Sequence, residues 1–414
     1  MQALSEGLVR RGEQVTVLTS RARSSVELYR PNRETTPLPD REHINGVEVR
    51  RVGINHSLRT FLFNRAARIR GWTRLRPLLL DQEVMDMLQL GPLSPGVCRE
   101  ILRFRPDVVL TLNAFYATGY FSYVMKKLYG YPWVLIPSLY MGTDLQHRHH
   151  GPTLKRLLTA ADLVIALTEF EKHVLIERGC DDQRIVVVGV GTDPAAFHPP
   201  RREPFRQRHH LTDEPIVLFL GRRSPGKGID TLIDAMPTVW QTHPRARLVL
   251  AGMPEVGSNF GSLEEAKLRA LTATERAKVI LVDHFSQTEK AEIYGACDLF
   301  AMPAQGESFG IVYLEAWASS RPIIACRGFA PSSYIEEGKD GLLVAYGNSH
   351  EVAAAIVKLL ESKALRDDLG KNGRQKVLEH YTWDIVVERV HRAYVRLLER
   401  KRRSHRLLNV RPWS

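Results

Sequence analysis

Two cations and two carboxylates, held in two short segments, are the residues best placed to do chemistry. Arg222 and Lys227 lie in the turn Gly221-Arg222-Arg223-Ser224-Pro225-Gly226-Lys227-Gly228, Glu307 opens the run Glu307-Ser308-Phe309-Gly310, and Glu315 follows eight positions after Glu307. An apolar run, Ile216 to Leu220, precedes the turn, and a helical pattern starts at Ile229. The cations therefore sit at a strand-to-helix turn, where backbone N–H groups point outward and attract anions; an α/β protein would hold a diphosphate there. Carboxylates accept hydrogen bonds from vicinal hydroxyls, and eight helical positions at about 1.5 Å each give roughly 12 Å, the reach from a sugar across a diphosphate to a ribose. Cations between the two acids would offset their repulsion of the phosphates. One extended ligand, sugar-diphosphate-nucleoside, accounts for all four residues.

Each signal also has a plainer reading. Gly221 to Lys227 satisfies the G-x-x-x-x-G-K pattern of a P-loop, but Gly228 stands where Ser or Thr would hold Mg²⁺. Taken singly, Arg222 and Lys227 read as exposed loop cations and Glu307 as a solvated carboxylate. Glu315 differs, because its neighbours Ile311, Val312, Leu314 and Trp317 make its helix mostly buried, which is costly for a carboxylate without hydroxyl or N–H partners. The tract His147-Arg148-His149-His150 has no carboxylate or thiol at ligand spacing, so it reads as a solvated or acceptor-facing loop and no metal site is expected. Gly189-Val190-Gly191 is a lone GxG, read as a domain-junction turn.

Together these segments resemble the large family of retaining glycosyltransferases with the two-domain GT-B fold, family 4 (glycosyl transferases group 1). Its members carry a G-R-x-x-x-x-K-G turn and an E-x7-E motif, which here reads Pro303-Ala-Gln-Gly-Glu307-Ser-Phe-Gly-Ile-Val-Tyr-Leu-Glu315-Ala316. The resemblance runs from about Val15 to Leu398, through Arg11 to Leu18, Ala161 to Val164, Gly191-Thr192-Asp193 and Gly338 to Val344. It implies an α/β fold of two Rossmann-like domains facing a central cleft, and retaining transfer of a hexosyl group from a nucleotide-diphosphate sugar to a hydroxyl of a glycan, lipid or phosphorylated acceptor. By that similarity Arg222, Lys227 and Glu307 form the catalytic set, the two cations on the donor pyrophosphate and Glu307 on the donor sugar. Glu315 would take the ribose hydroxyls, with Gly221, Ser308, Phe309 and Gly310 around the donor. His284 would fall near the base, in Asp283-His284-Phe285, where relatives commonly have a glycine. The nucleotide sugar is a co-substrate; neither a cofactor nor a metal is implied.

The chain also departs from the family pattern. Ser138-Leu139-Tyr140 stands where relatives often carry a His, and Gly328 to Ser333 where they place a Gly-Gly pair. The base, sugar and acceptor stay open. So do two other readings: a nucleotide-sugar epimerase or glycosyl phosphorylase on the same fold, and a degenerate nucleotide-sugar-binding protein.

The elements that must position these residues follow from size and pattern. At 414 residues the chain exceeds one typical core, so two domains are expected. Its 44% hydrophobic and 25% charged residues are those of an ordinary soluble protein. With no long apolar run and no signal pattern, the expected location is cytoplasmic. Cys98, Cys180, Cys297 and Cys326 are too scattered for a zinc site and read as structural thiols. A net charge of +12, concentrated in Arg65 to Arg76, Arg201 to Arg208 and Arg400 to Arg403, reads either as a solvated face and a disordered tail or as fitting an anionic membrane surface or a phosphorylated acceptor; nucleic acid is disfavoured because no recognition motif accompanies it.

Short apolar strands alternate with helical patterns, the mark of parallel sheets covered by helices. Candidate strands are Val15–Thr19, Val47–Val52, Val108–Leu112, Trp133–Pro137, Leu163–Leu167 and Ile185–Val188, then Ile216–Leu220, Arg247–Ala251, Val279–Val282, Leu299–Met302 and Ile323–Ala325. The expected division is an acceptor domain over 1–195, a linker over 196–214, a nucleotide-sugar domain over 215–380, a helix over 381–400 that crosses back in the resembling family, and a basic tail over 401–414. Family members open with an apolar strand and a Gly-rich turn, whereas Met1 already lies in the following helix. The N-terminal domain is therefore expected to lack its usual first strand, with the natural start expected upstream.

Overall fold

In the computed structural model, residues 1–22, 38–55, 87, 91, 94–139, 152–255 and 260–408 are described, leaving aside the side chains of 260, 262 and 404–408. The basic stretch 65–76 and the His147 to His150 tract lie outside them. The chain divides into two compact units, one holding the segments up to Leu139, on to Val188 and from Val387 onward, the other holding Gly189–Val386.

The second unit carries a six-stranded sheet made of β8 (Ile216–Leu220), β9 (Arg247–Ala251), β10 (Val279–Val282), β11 (Leu299–Ala301), β12 (Ile323–Cys326) and β13 (Gly341–Val344). Its order is β10-β9-β8-β11-β12-β13, and every pairing is parallel. Ile216 to Leu220 are all buried, as a strand covered on both faces must be, which is why it reads as an unbroken apolar run. The chain runs outward from β8 through β9 to β10 and returns at β11 on the other side of β8. The sheet therefore reverses its winding between β8 and β11, the position where open α/β sheets leave a crevice at their strand ends.

The first unit holds β1 (Thr16–Ser20), β2 (Arg41–Ile44) and β3 (Val47–Val52) in the order β1-β3-β2, and β4 (Val109–Leu112), β5 (Trp133–Ile136), β6 (Leu163–Ala166) and β7 (Ile185–Val187) in chain order. The two sheets share a core without pairing: Leu18 of β1 and Val109 of β4 both pack on Val52, Val97, Ile101 and Met125. Among the described residues nothing pairs with the outer edges of β1 and β4. β5 and β6 are buried throughout, whereas β4 ends on the exposed Leu112.

Three expectations need correction. β2 and β13 escaped the sequence reading, β2 because Arg41-Glu-His-Ile44 is polar and β13 because Gly341 opens it. Residues 196–214 are not a simple linker. They contain the helix Glu203–Arg208, whose Arg206 is 1% exposed and donates to the carbonyls of Thr212, Glu214 and Ala296, so the segment packs within the second unit. The last helix runs Trp383–Leu408, so Arg400 to Arg403 are helical rather than part of a tail, and the Oγ1 of Thr382 accepts from Ile385 N at its start. All four cysteines are free thiols.

Candidate donor site

Both chemistry-bearing segments leave the two strands that flank the reversal. The turn Gly221 to Gly228 follows β8, and the segment from Met302 to Gly310 follows β11. They interlock through their backbones: Gln305 N donates to Gly226 O at 2.8 Å, and a Cβ on Gly228 would lie 2.2 Å from the carbonyl oxygen of Pro303. Gly228 also holds φ +73°, a left-handed conformation that glycine adopts without steric cost. The G-K-G end of the motif is thus required by a close approach as well as by a turn.

That contact brings the sequence-predicted residues together. Lys227 pairs with Glu307, both side chains largely buried. Arg222, in contrast, is exposed and makes no hydrogen bond or ion pair with another described residue. Helices begin immediately after both segments, Ile229–Thr242 with Gly228 as N-cap and Ile311–Ala318 with Gly310 as N-cap, and neither has a side-chain cap. Glycine contributes no capping oxygen, so the first-turn N–H groups keep their capacity for an anion. Among the described residues the amides of Phe309 and Gly310 make no hydrogen bond.

Phe309 contributes only its backbone. Its ring is 3% exposed and stacks on Tyr334 with centroids 4.9 Å apart, while Tyr334 Oη donates to Phe309 O at 2.6 Å. This packing fixes the start of the helix that carries Glu315. Ser308 is half-buried beside it.

Glu315 is 5% exposed and has the partners its burial demands: Lys290 Nζ at 2.5 Å and the hydroxyl of Tyr294, which donates at 3.1 Å. Burial pushes its carboxyl above the ordinary range, with Lys290 opposing. Lys290 also lines a cavity of about 450 Å³, together with Gly221, Arg222, Asp283, His284 and Val312. Gly221, Arg222 and His284 therefore share one cavity as expected, whereas Lys227 and Glu307 pair in the adjoining turn.

Sequence reasoning missed Lys290 and Tyr294, which lie 25 and 21 positions from Glu315 in no recognisable motif. It also missed Arg223. That side chain is buried, with Nε 3.1 Å from Glu264 Oε1 and Nη1 2.8 Å from Asp283 Oδ1. Its backbone is bonded to the segment after β9, through Met253 O and Glu255 N. Arg223 thus ties the ends of β8, β9 and β10 to the helix Phe260–Ala270. Among the described residues no group of three His, Cys, Asp or Glu could hold a metal ion, and no helix is long and apolar enough to cross a membrane.

Comparisons with known proteins bear on the family and the fold. Residues 201–376 match the family described as Glycosyl transferases group 1, and residues 1–191 match the Glycosyl transferase 4-like domain. The D-inositol 3-phosphate glycosyltransferase of Acidothermus cellulolyticus is 32% identical over 59% of this chain and 56% of its own length. That of Nocardioides sp. is 32% identical over 56% of this chain and 52% of its own, so these matches span just over half of either relative. Among solved structures, a sucrose-phosphate synthase from Thermosynechococcus elongatus aligns with a TM-score of 0.73 at 21% identity, covering 96% of this chain and 92% of that one. Anabaena Alr3699/HepE, in complex with UDP and glucose, aligns with a TM-score of 0.64 at 21% identity over 73% and 82%. The architecture is that of the GT-B proteins, two Rossmann-like α/β units.

Proposed function

Because the chain belongs to the glycosyl transferases of group 1, family 4, we propose that it moves a hexosyl group, with retention at the anomeric carbon, from a nucleotide-diphosphate sugar to a hydroxyl of a glycan, lipid or phosphorylated acceptor. The observation that carries this reading is the meeting of the two motif segments at the sheet reversal, where Lys227, Glu307 and two uncapped helix starts converge. That the relatives are named as sugar transferases, and that HepE is described with UDP and glucose, supports a sugar nucleotide as donor.

In this reading Arg222 and Lys227 hold the donor diphosphate, Glu307 the donor sugar and Glu315 the ribose, with Gly221 and His284 along the nucleoside. Negative charge grows on the leaving diphosphate as its bond to the anomeric carbon breaks. Fixed cations and the amides of Phe309 and Gly310 then stabilise the transition state more than the ground state. The acceptor oxygen attacks from the face the diphosphate leaves, and its proton passes to a departing phosphate oxygen. With these groups neutralising the charge, the transfer needs neither a metal nor a cofactor.

Donor turnover with product analysis, run with and without acceptor and with a chelator present, tests this reading. A stereoretained glycoside is expected from one donor, and Lys227→Ala or Arg222→Ala should lower turnover tenfold or more, about 1.4 kcal/mol per decade. Unchanged turnover in both variants would remove the diphosphate assignment. Release of free or phosphorylated sugar would instead favour the phosphorylase reading, and binding without turnover the nucleotide-sugar binder.

We also propose that the protein works in the cytoplasm, its first unit resting on an anionic membrane surface. Lys126 and Lys401 both pair with Asp162 at 2.5 Å, which joins the basic end of the last helix to the exposed Leu128 and Tyr129. Co-sedimentation with lipid vesicles tests this.

A further inference from the structure

The buried Arg223 leaves a carboxylate where a nucleobase would lie. Arg222 and Gly221, which take the diphosphate in the reading above, line the cavity, and so does Lys290, which pairs with Glu315, the ribose ligand of that reading. The remaining wall is Gly252, Met253 and Asp283 to Phe285, at the ends of β9 and β10. Met253 and Phe285 offer apolar surface to the flat face of a base; the polar side chains of this wall are Asp283 and His284, and Asp283 is the acceptor-only one.

Asp283 is held there by a built arrangement. Arg223 is 5% exposed and reaches both Glu264, which is also buried, and Asp283. One guanidinium is shared between two carboxylates. Burial raises the Glu264 carboxyl above its ordinary range. The Asp283 side chain is 51% exposed and lines the cavity, so part of its carboxylate stays open to a ligand.

We infer that this cavity selects guanine, with Asp283 accepting hydrogen bonds from the N1–H and N2–H₂ groups of the base, so that the donor is a guanosine-diphosphate sugar. A carboxylate is acceptor-only, and guanine presents two adjacent donors to the lone pairs that Arg223 leaves open on Asp283. Uracil presents one N–H between two carbonyl oxygens, which the carboxylate repels. Adenine presents one amino donor beside an acceptor nitrogen. The inference rests on the diphosphate reading given above and adds to it which nucleoside is taken.

Isothermal titration of the full chain with GDP, UDP and ADP tests it, using wild type, Asp283→Asn, Asp283→Ser and Lys227→Ala. GDP should bind wild type roughly ten- to a hundredfold more tightly than UDP, the discrimination expected of a bidentate base contact. Both Asp283 variants should collapse that ratio toward one. The ratio is measured within each protein, so a loss of folded fraction does not change it. Equal binding of GDP and UDP to wild type, both weakened by Lys227→Ala, would overturn the guanine assignment and leave the diphosphate site standing. Binding that ignores Lys227→Ala, or no binding of any of the three, would overturn both.

Discussion

At the scale of single residues, burial decides what a carboxylate is worth. Glu307 and Glu315 are each matched with a lysine, so a donor would have to compete with Glu307 for Lys227 while finding Glu315 held in place. Glu171 lies in the first unit and has no cation at hydrogen-bond distance among the described residues. It is 1% exposed and accepts from Leu139 N at 2.8 Å and Leu167 N at 2.7 Å, pinning together the ends of β5 and β6. Burial pushes its carboxyl up from 4.5 to about 7, the two amides and Arg178 opposing. An acid raised on folding binds more protons folded than unfolded between those values. Its contribution is therefore complete below about pH 4.5 and is lost as pH rises through 7. Over that interval the stability difference between wild type and Glu171→Gln should move in the variant's favour by on the order of 3 kcal/mol. Urea unfolding at several pH values checks this, and a difference flat with pH would refute it.

At the scale of elements, the donor site depends on two strand-end turns locking to each other. Gly228 and Gly347 have nearly the same φ, +73° and +75°, but a Cβ on Gly228 meets the Pro303 carbonyl at 2.2 Å while one on Gly347 meets nothing within 4 Å. Both Gly→Ala changes carry the left-handed cost of about 1–2 kcal/mol. Only Gly228→Ala must also force the turn away from the segment bearing Glu307. It should destabilise by at least ~2 kcal/mol more than Gly347→Ala, read by denaturant midpoint at constant slope, and equal losses would show that the two turns are not locked. Strand positions were legible because β8 to β12 are near-continuous apolar runs, whereas β2 and β13 carried no such pattern. The helix Glu203–Arg208 was hidden in a stretch of Pro, Arg and His because the burial of Arg206 depends in part on the carbonyl of Ala296, remote in sequence.

At the scale of the whole molecule, net charge and its placement govern association. The chain carries +12, and the last helix bears Arg400, Lys401, Arg402 and Arg403 in its final turns, Arg402 and Arg403 exposed. Each such cation near an anionic leaflet contributes about 1 kcal/mol, and salt screens the attraction. The protein should sediment with phosphatidylserine vesicles at low salt, much less at high salt and little with neutral lipid. Charge reversal at Arg402 and Arg403 should reduce the bound fraction severalfold. Equal sedimentation with neutral and anionic vesicles would defeat this proposal.

The sequence by itself determined the α/β class, the two motif segments and the chemical types, cations and carboxylates, that they carry, because these follow from local periodicity and from glycines at obligatory turns. Tertiary structure alone decided which side chains those residues meet. Lys290 finds Glu315, and Arg223 joins Glu264 to Asp283, because parallel strands wound from a reversal bring remote strand ends to one rim of the sheet. Such contacts are set by crossover connections and leave no mark on local spacing.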